Sequence, residues 1–427
     1  MVSLSSVIIN DQHNPVGIQS VQQIGWKIHS DQRNVLQLGY HLQLASDKDF
    51  QDLLYDSGIV TSEESAHIDG SPLNENLVSA KKYFLRVRVD TTVGQTGWAY
   101  GAFATALLDP AEWKGKFITV EKEEDSAKSK GTCLRKEIRL RNPVRSAFAF
   151  TTALGLYQFY INGKKVGYDE FTPGWTSYNK HLLYQAYDVT SFLHPGHSTL
   201  GCMLGAGWYK GDIGFNRVRN YYGKYIAFSC HLAVEYEDGS QEIFCTDDTW
   251  EGADSPVVFS EIYDGEIYDA RLEISGWNKN HCTSGNWIPV RTLPFNKKVL
   301  TAQAGAKVCR KDCIPAKEIF TTPQGDRVID FGQNLTGWIE FTGQGHTGDR
   351  IELHCFEILD HQGNVYTDNL RTAKSAVTYI CRDDEPFRFH ENFSFQGFRY
   401  AKVVSWPGIP EKENFTAHTL YSDMEPT

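Results

Sequence analysis

The sequence is poor in several features, and each shortage removes a class of protein. No block of lysine and arginine interrupts a formal net charge of −11. A nucleic-acid binder displaces counterions from phosphates with a basic stripe, so that class is set aside. The acidic balance itself speaks only of solubility. No apolar run approaches the roughly 18–20 residues of a membrane-spanning helix, and no membrane partner is expected. The opening MVSLSSVIINDQHNPVG has neither a charged n-region nor a long apolar stretch, so it does not read as a secretion signal. Nine cysteines form no CxxC pair, and Cys309 and Cys313 have no matching second half for a zinc site. They read as reduced, mostly buried thiols, which places the protein in the cytoplasm. The 14 histidines show no ligand spacing, and methionine is rare at 3 residues. No segment sustains a helical apolar period over several turns.

Aromatics are plentiful, at 13% of 427 residues, with 36 glycines among them. That mixture favours strands and turns, and the length favours two to four domains. Residues 1–108 hold alternating segments such as KKYFLRVRVD, followed by a Gly-containing turn and Trp98. They resemble the last strands of a fibronectin III or immunoglobulin-like sandwich. One short helix is expected over DKDFQDLL (47–54). Residues 109–300 resume the alternation after a linker and a charged loop, and read as a jelly-roll sandwich. Asn162-Gly163 and Asp238-Gly239 are hairpin signals there. Residues 301–427 form a third turn-rich unit. The fold class expected is all-β, three consecutive β-sandwiches.

Two Gly-rich loops carry paired aromatics: Trp175 and Tyr178 after Pro173-Gly174, and Trp208 and Tyr209 before Asp212. Flat rings beside turns at a sandwich edge suit the apolar face of a pyranose, and they equally suit a core or a domain interface. The stretch EIYDGEIYDAR (261–271) is the densest carboxylate cluster. Strand alternation puts Asp264 and Glu266 on one face, with Asp269 and Arg271 on the other. Such carboxylates serve as a glycosidase acid and base or as oxygen ligands for Ca²⁺, while the plainer reading pairs Asp269 with Arg271. Asp330-Phe331-Gly332 echoes a kinase motif with nothing else of a kinase around it. Glu357, Asp360 and Asp368 sit in a loop able to line a cleft.

Four stretches occur in an order that resembles bacterial α-L-rhamnosidases, glycoside hydrolase family 78. They are YQFYINGKKVGYDEFTPGWTSYNKHLLYQAYDVT, LGAGWYKGDIGF, EIYDGEIYDAR, and the series from DFGQNLTGWIEF to FSFQGFRYAKV. The resemblance covers about residues 1–422. It implies an immunoglobulin-like domain, a rhamnosidase N-terminal sandwich and a concanavalin-like sandwich. In the family a helical (α/α)₆ barrel follows and carries the general acid and base for hydrolysis with inversion. No motif of that barrel occurs here, so no catalytic residue is assigned. Related rhamnose-binding modules hold Ca²⁺ through an Asp-Asn pair where this sequence has Ala153-Leu154-Gly155. No calcium site is carried over, and no cofactor is expected. The expected role is an accessory region that supports the barrel and contacts a rhamnose-containing glycan, with Trp175, Tyr178, Trp208, Tyr209, Asp212, Asp264 and Glu266 as candidate sugar contacts. The alternatives are a free-standing carbohydrate-binding protein and an enzyme using the 261–271 carboxylates.

Overall fold

A computed structural model describes residues 2–424. The chain is all-β, and among the described residues α-helix is confined to one turn, Gly207–Lys210. Three sandwich-like units follow one another.

In the first, a six-stranded sheet faces a four-stranded one. Strand Lys82–Thr91 shows why: Tyr83, Leu85, Val87 and Val89 point inward, and the residues between them point out. On the outer face the guanidiniums of Arg86 and Arg88 lie 4.4 and 4.8 Å from the Trp98 ring centre. The helix expected over 47–54 is absent, which corrects that expectation. The Asp47 carboxylate accepts the amides of Asp49, Gln51 and Asp52, closing a turn, and Leu53–Thr61 continues as a strand. A local side-chain bond has outcompeted the helical ladder.

The second unit packs a seven-stranded sheet on a six-stranded one. Its core runs from Ile118 through Phe159 and Phe228 to Trp250. Asn162 and Gly163 have φ of +51° and +82°, and Ile161 pairs with Lys164, a tight primed turn. At Asp238-Gly239 only the glycine is left-handed, at +81°, and Asp238 accepts the Ser240 amide. That hairpin is therefore closed by a longer loop.

The third unit is a ten-stranded sheet built on the 17-residue strand Arg327–Gly343. Its first half pairs with Glu318–Thr321 and its second half with Phe415–Ser422, with a register break after Asp330. The sheet thereby folds over a core that includes Phe331, Phe341 and Phe398. Asp330, the acid of the kinase-like triplet, takes two 2.9 Å bonds from Arg399, a structural role. The hairpin Val257–Asp269 leaves the middle stretch of sequence and joins this sheet, pairing in parallel with Ala376–Ile380. Gly265 is required at that junction: its φ is +94°, and a Cβ would lie 1.9 Å from the Ala376 carbonyl oxygen.

Candidate carbohydrate-binding site

Trp175 stands on a loop whose ends are tied down. Tyr157 and Thr172 exchange two 3.0 Å bonds, and the Tyr178 hydroxyl donates to the Gly174 carbonyl at 2.8 Å. Trp208 rises from the turn Gly207–Lys210. Gly207 is left-handed there, and a Cβ would come within 2.5 Å of the Leu156 side chain. These two loops bring the indoles together with centroids 6.0 Å apart and planes 6° from parallel. Trp175 is 51% exposed, whereas Trp208 is half-buried against Phe395. The Trp175 Nε1–H donates to the Tyr222 hydroxyl at 3.3 Å, fixing the ring in its plane. The arrangement is an offset pair of indoles with one broad face open to water.

The companion tyrosines do not share that exposure. Tyr178 is fully buried, edge-on to Tyr209 and Tyr222, and Tyr209 lies in the same cluster. They form the floor beneath the tryptophans, and burial raises both phenol pKa values, that of Tyr209 to about 12. The sequence pattern could not separate the two pairs, since all four aromatics follow turns.

The carboxylates are also divided. Asp264 takes bonds of 3.0 and 2.8 Å from Arg217. Burial alone would raise its pKa, but Arg217 holds the carboxyl below its ordinary value. Asp212 lies 3.3 Å from Arg217 and 3.2 Å from Arg219, and Arg219 also reaches the buried Glu261. Glu266 faces elsewhere. It accepts the Asn392 and Phe393 amides at 3.0 and 2.9 Å, and burial pushes its pKa up to about 7. Asp269 receives two side-chain bonds from Arg271, at 2.8 and 2.7 Å. Asp264 and Glu266 therefore serve different partners and do not converge as an acid–base pair. Glu357 takes bonds from Asn334 and Asn369, and Asp360 closes a turn onto Asn364. Among the described residues no three His, Cys, Asp or Glu side chains gather as a metal-holding group. Ala153 and Leu154 are buried in strand Val144–Leu154.

Sequence reasoning missed Arg217, Arg219, Tyr222 and Phe395. The first two were visible as the only cations between Asp212 and Asn220, though nothing in the sequence named their partners.

Comparison with known proteins decides the family. Profiles described as the Rha78A-like N-terminal immunoglobulin domain, the alpha-L-rhamnosidase N-terminal domain and the bacterial alpha-L-rhamnosidase concanavalin-like domain match residues 4–109, 142–312 and 320–421. An alpha-L-rhamnosidase of Formosa agariphila is 31% identical over 96% of this chain. The chain belongs to the α-L-rhamnosidase family. A second relative, from Streptomyces avermitilis, is 35% identical over 68% of this chain and 28% of its own length. The solved α-L-rhamnosidase of Aspergillus terreus superposes with a TM-score of 0.91 and 31% identity, covering all of this chain and 50% of that one. The Streptomyces avermitilis enzyme complexed with L-rhamnose has the same fold, at a TM-score of 0.92 and 22% identity over 99% of this chain and 58% of that one. The chain spans 46% of the Formosa rhamnosidase, so it corresponds to the N-terminal β-domain region of these proteins.

Proposed function

We propose that this chain is the accessory β-region of an α-L-rhamnosidase that hydrolyses terminal α-L-rhamnosides with inversion. It supports a helical catalytic barrel and contacts the rhamnose-bearing glycan through Trp175 and Trp208. The open, parallel indole pair carries this reading, because its face is flat, apolar and fixed by Tyr222. Sugar rings stack on such faces without requiring charge. The seam between the second and third units lies against it, since Phe171, Met203, Trp338 and Phe393 pack there in one cluster. That cluster lends the pair a rigid base. L-Rhamnose in the Streptomyces structure supports the choice of sugar.

Two measurements on this 427-residue chain test the reading. An aryl α-L-rhamnoside should turn over no faster than in buffer. Tryptophan fluorescence should change saturably with L-rhamnose, and Trp175→Ala should weaken that binding about tenfold, or about 1.4 kcal/mol. Turnover would make the chain an enzyme in its own right, with the carboxylates of 261–271 the first to mutate. Absence of turnover together with sugar binding that survives in Trp175→Ala would remove the indole platform.

A further inference from the structure

The outer face of the seven-stranded sheet carries a second feature, where the first unit and the linker cross it. Three strands align there in rows. Phe148 pairs with Ala233, and Ala233 with Ile243. The row on one side is Ser146, Glu235 and Gln241, and the row on the other is Phe150, His231 and Cys245. The small Ala233 between two bulky side chains makes a dimple with an apolar floor. Ser79 and Ala80 of the first unit, with Leu107, Glu112 and Lys114 of the linker, wall it into a cavity of about 250 Å³.

Its polar groups are arranged for a ligand. His231 lines the cavity and is 3% exposed. Its Nδ1 accepts the Lys114 amide at 3.3 Å, and burial lowers its pKa to about 4, so the ring is neutral and Nε2 carries the proton. Among the described residues that N–H has no hydrogen-bond partner, and it keeps some solvent access where His231 lines the cavity. Glu112 supplies acceptors, with one oxygen engaged by the Ser79 hydroxyl. Glu235 is already neutralised by Lys81 at 2.9 Å and Arg145 at 3.3 Å. That leaves Glu112 and Glu242 in the lining against Lys114, which disfavours an anion. A cation would find the Glu112 acceptor but would leave the His231 N–H unused, whereas a neutral polyol uses both. The volume falls below the usual 300–1,000 Å³ of drug-sized pockets, which admits one sugar ring and no oligosaccharide.

We infer that the Ala233 dimple binds a single neutral 6-deoxyhexose, its apolar face on Ala233 and Ile243 and a ring or hydroxyl oxygen accepting from His231. The identity of the sugar rests on the rhamnosidase reading, and the existence of a polyol site does not. The site is separate from the indole pair, and a bound sugar there would bridge the first and second units.

The test is a titration of the full chain, carrying ¹⁵N-labelled histidine, with L-rhamnose and with glycerol as control. The His231 Nε2 signal, assigned by its loss in His231→Gln, should shift saturably with L-rhamnose and not with glycerol. Ala233→Leu, which fills the dimple, should weaken the response at least tenfold. Ile243→Lys should do the same at a position that is already 49% exposed and so tolerates the change in folding. An unmoved His231 signal at about 100 mM sugar, where a Kd of about 10 mM is saturated, would overturn the inference. So would an equal shift in both variants. Tryptophan fluorescence followed in the same samples separates the two sites. A fluorescence change without a His231 shift sinks the dimple and leaves the indole platform standing, and the reverse result sinks the platform alone.

Discussion

Replacing Lys210 by alanine is expected to cost about 3–5 kcal/mol of folding free energy. Neither the Lys210 nor the Glu121 side chain has any exposed surface, and the ammonium bonds the carboxylate directly. Lys210 also donates to the Asp125 carbonyl at 2.9 Å, while the second Glu121 oxygen accepts the Ile226 amide at 2.7 Å. Every polar atom of the pair is thus committed, and removing the lysine strands a carboxylate away from water. The urea midpoint should fall with an unchanged m-value, since the surface exposed on unfolding stays the same. Lys210→Met combined with Glu121→Gln should recover much of the loss, because no charge is then left unpaired. A drop below about 1 kcal/mol for the single variant would mean that the pair is hydrated. The proposed function is linked to the same bond. Lys210 closes the turn that carries Trp208, so the variant should also weaken the rhamnose binding proposed for the indole pair.

Local patterns carried much of this fold in the sequence. The alternation of Lys82–Thr91 names its inward face residue by residue, and Asn162-Gly163 names its turn. The order of long motifs carried the family. What failed to show depends on contacts between distant residues. Trp175 and Trp208 meet because two separate loops converge, and no local period encodes that. Tyr178 and Tyr209 have the same turn context as the tryptophans, yet they pack downward. Asp264 looks free beside Glu266 until Arg217, from another loop, claims it. The hairpin Val257–Asp269 alternates well, but alternation does not say which sheet a strand joins. At 47–54 composition favoured a helix, and one carboxylate reversed the outcome.

Raising the pH from about 6.5 to 8.5 is expected to remove about 3 kcal/mol of stability through two buried glutamates, about two of it through Glu391. Glu266 and Glu391 are both fully buried where the Val257–Asp269 hairpin meets the loop around Asn392. Burial pushes the Glu266 pKa up to about 7. It pushes Glu391 to about 8, with the Glu266 charge adding to the rise. One Glu391 oxygen receives the Ser394 hydroxyl and a 2.7 Å bond from Gln396, while the other has no partner. An unfolded glutamate loses its proton near pH 4.3. Above that pH the folded chain binds more protons than the unfolded one, so its stability falls as pH rises through 7 and 8. Groups shifted the other way oppose the loss only in part: arginine-paired acids such as Asp264 are ionised in both states, while His231, His390 and His418, held neutral by burial but titrating near 6.5 once unfolded, each return at most about 0.4 kcal/mol at the start of the window. Urea denaturation at several pH values should show the decline, and Glu391→Gln should remove most of it, leaving a variant more stable than the parent at pH 8.5. A stability curve that is flat across the window in the parent would mean that water reaches this carboxylate pair.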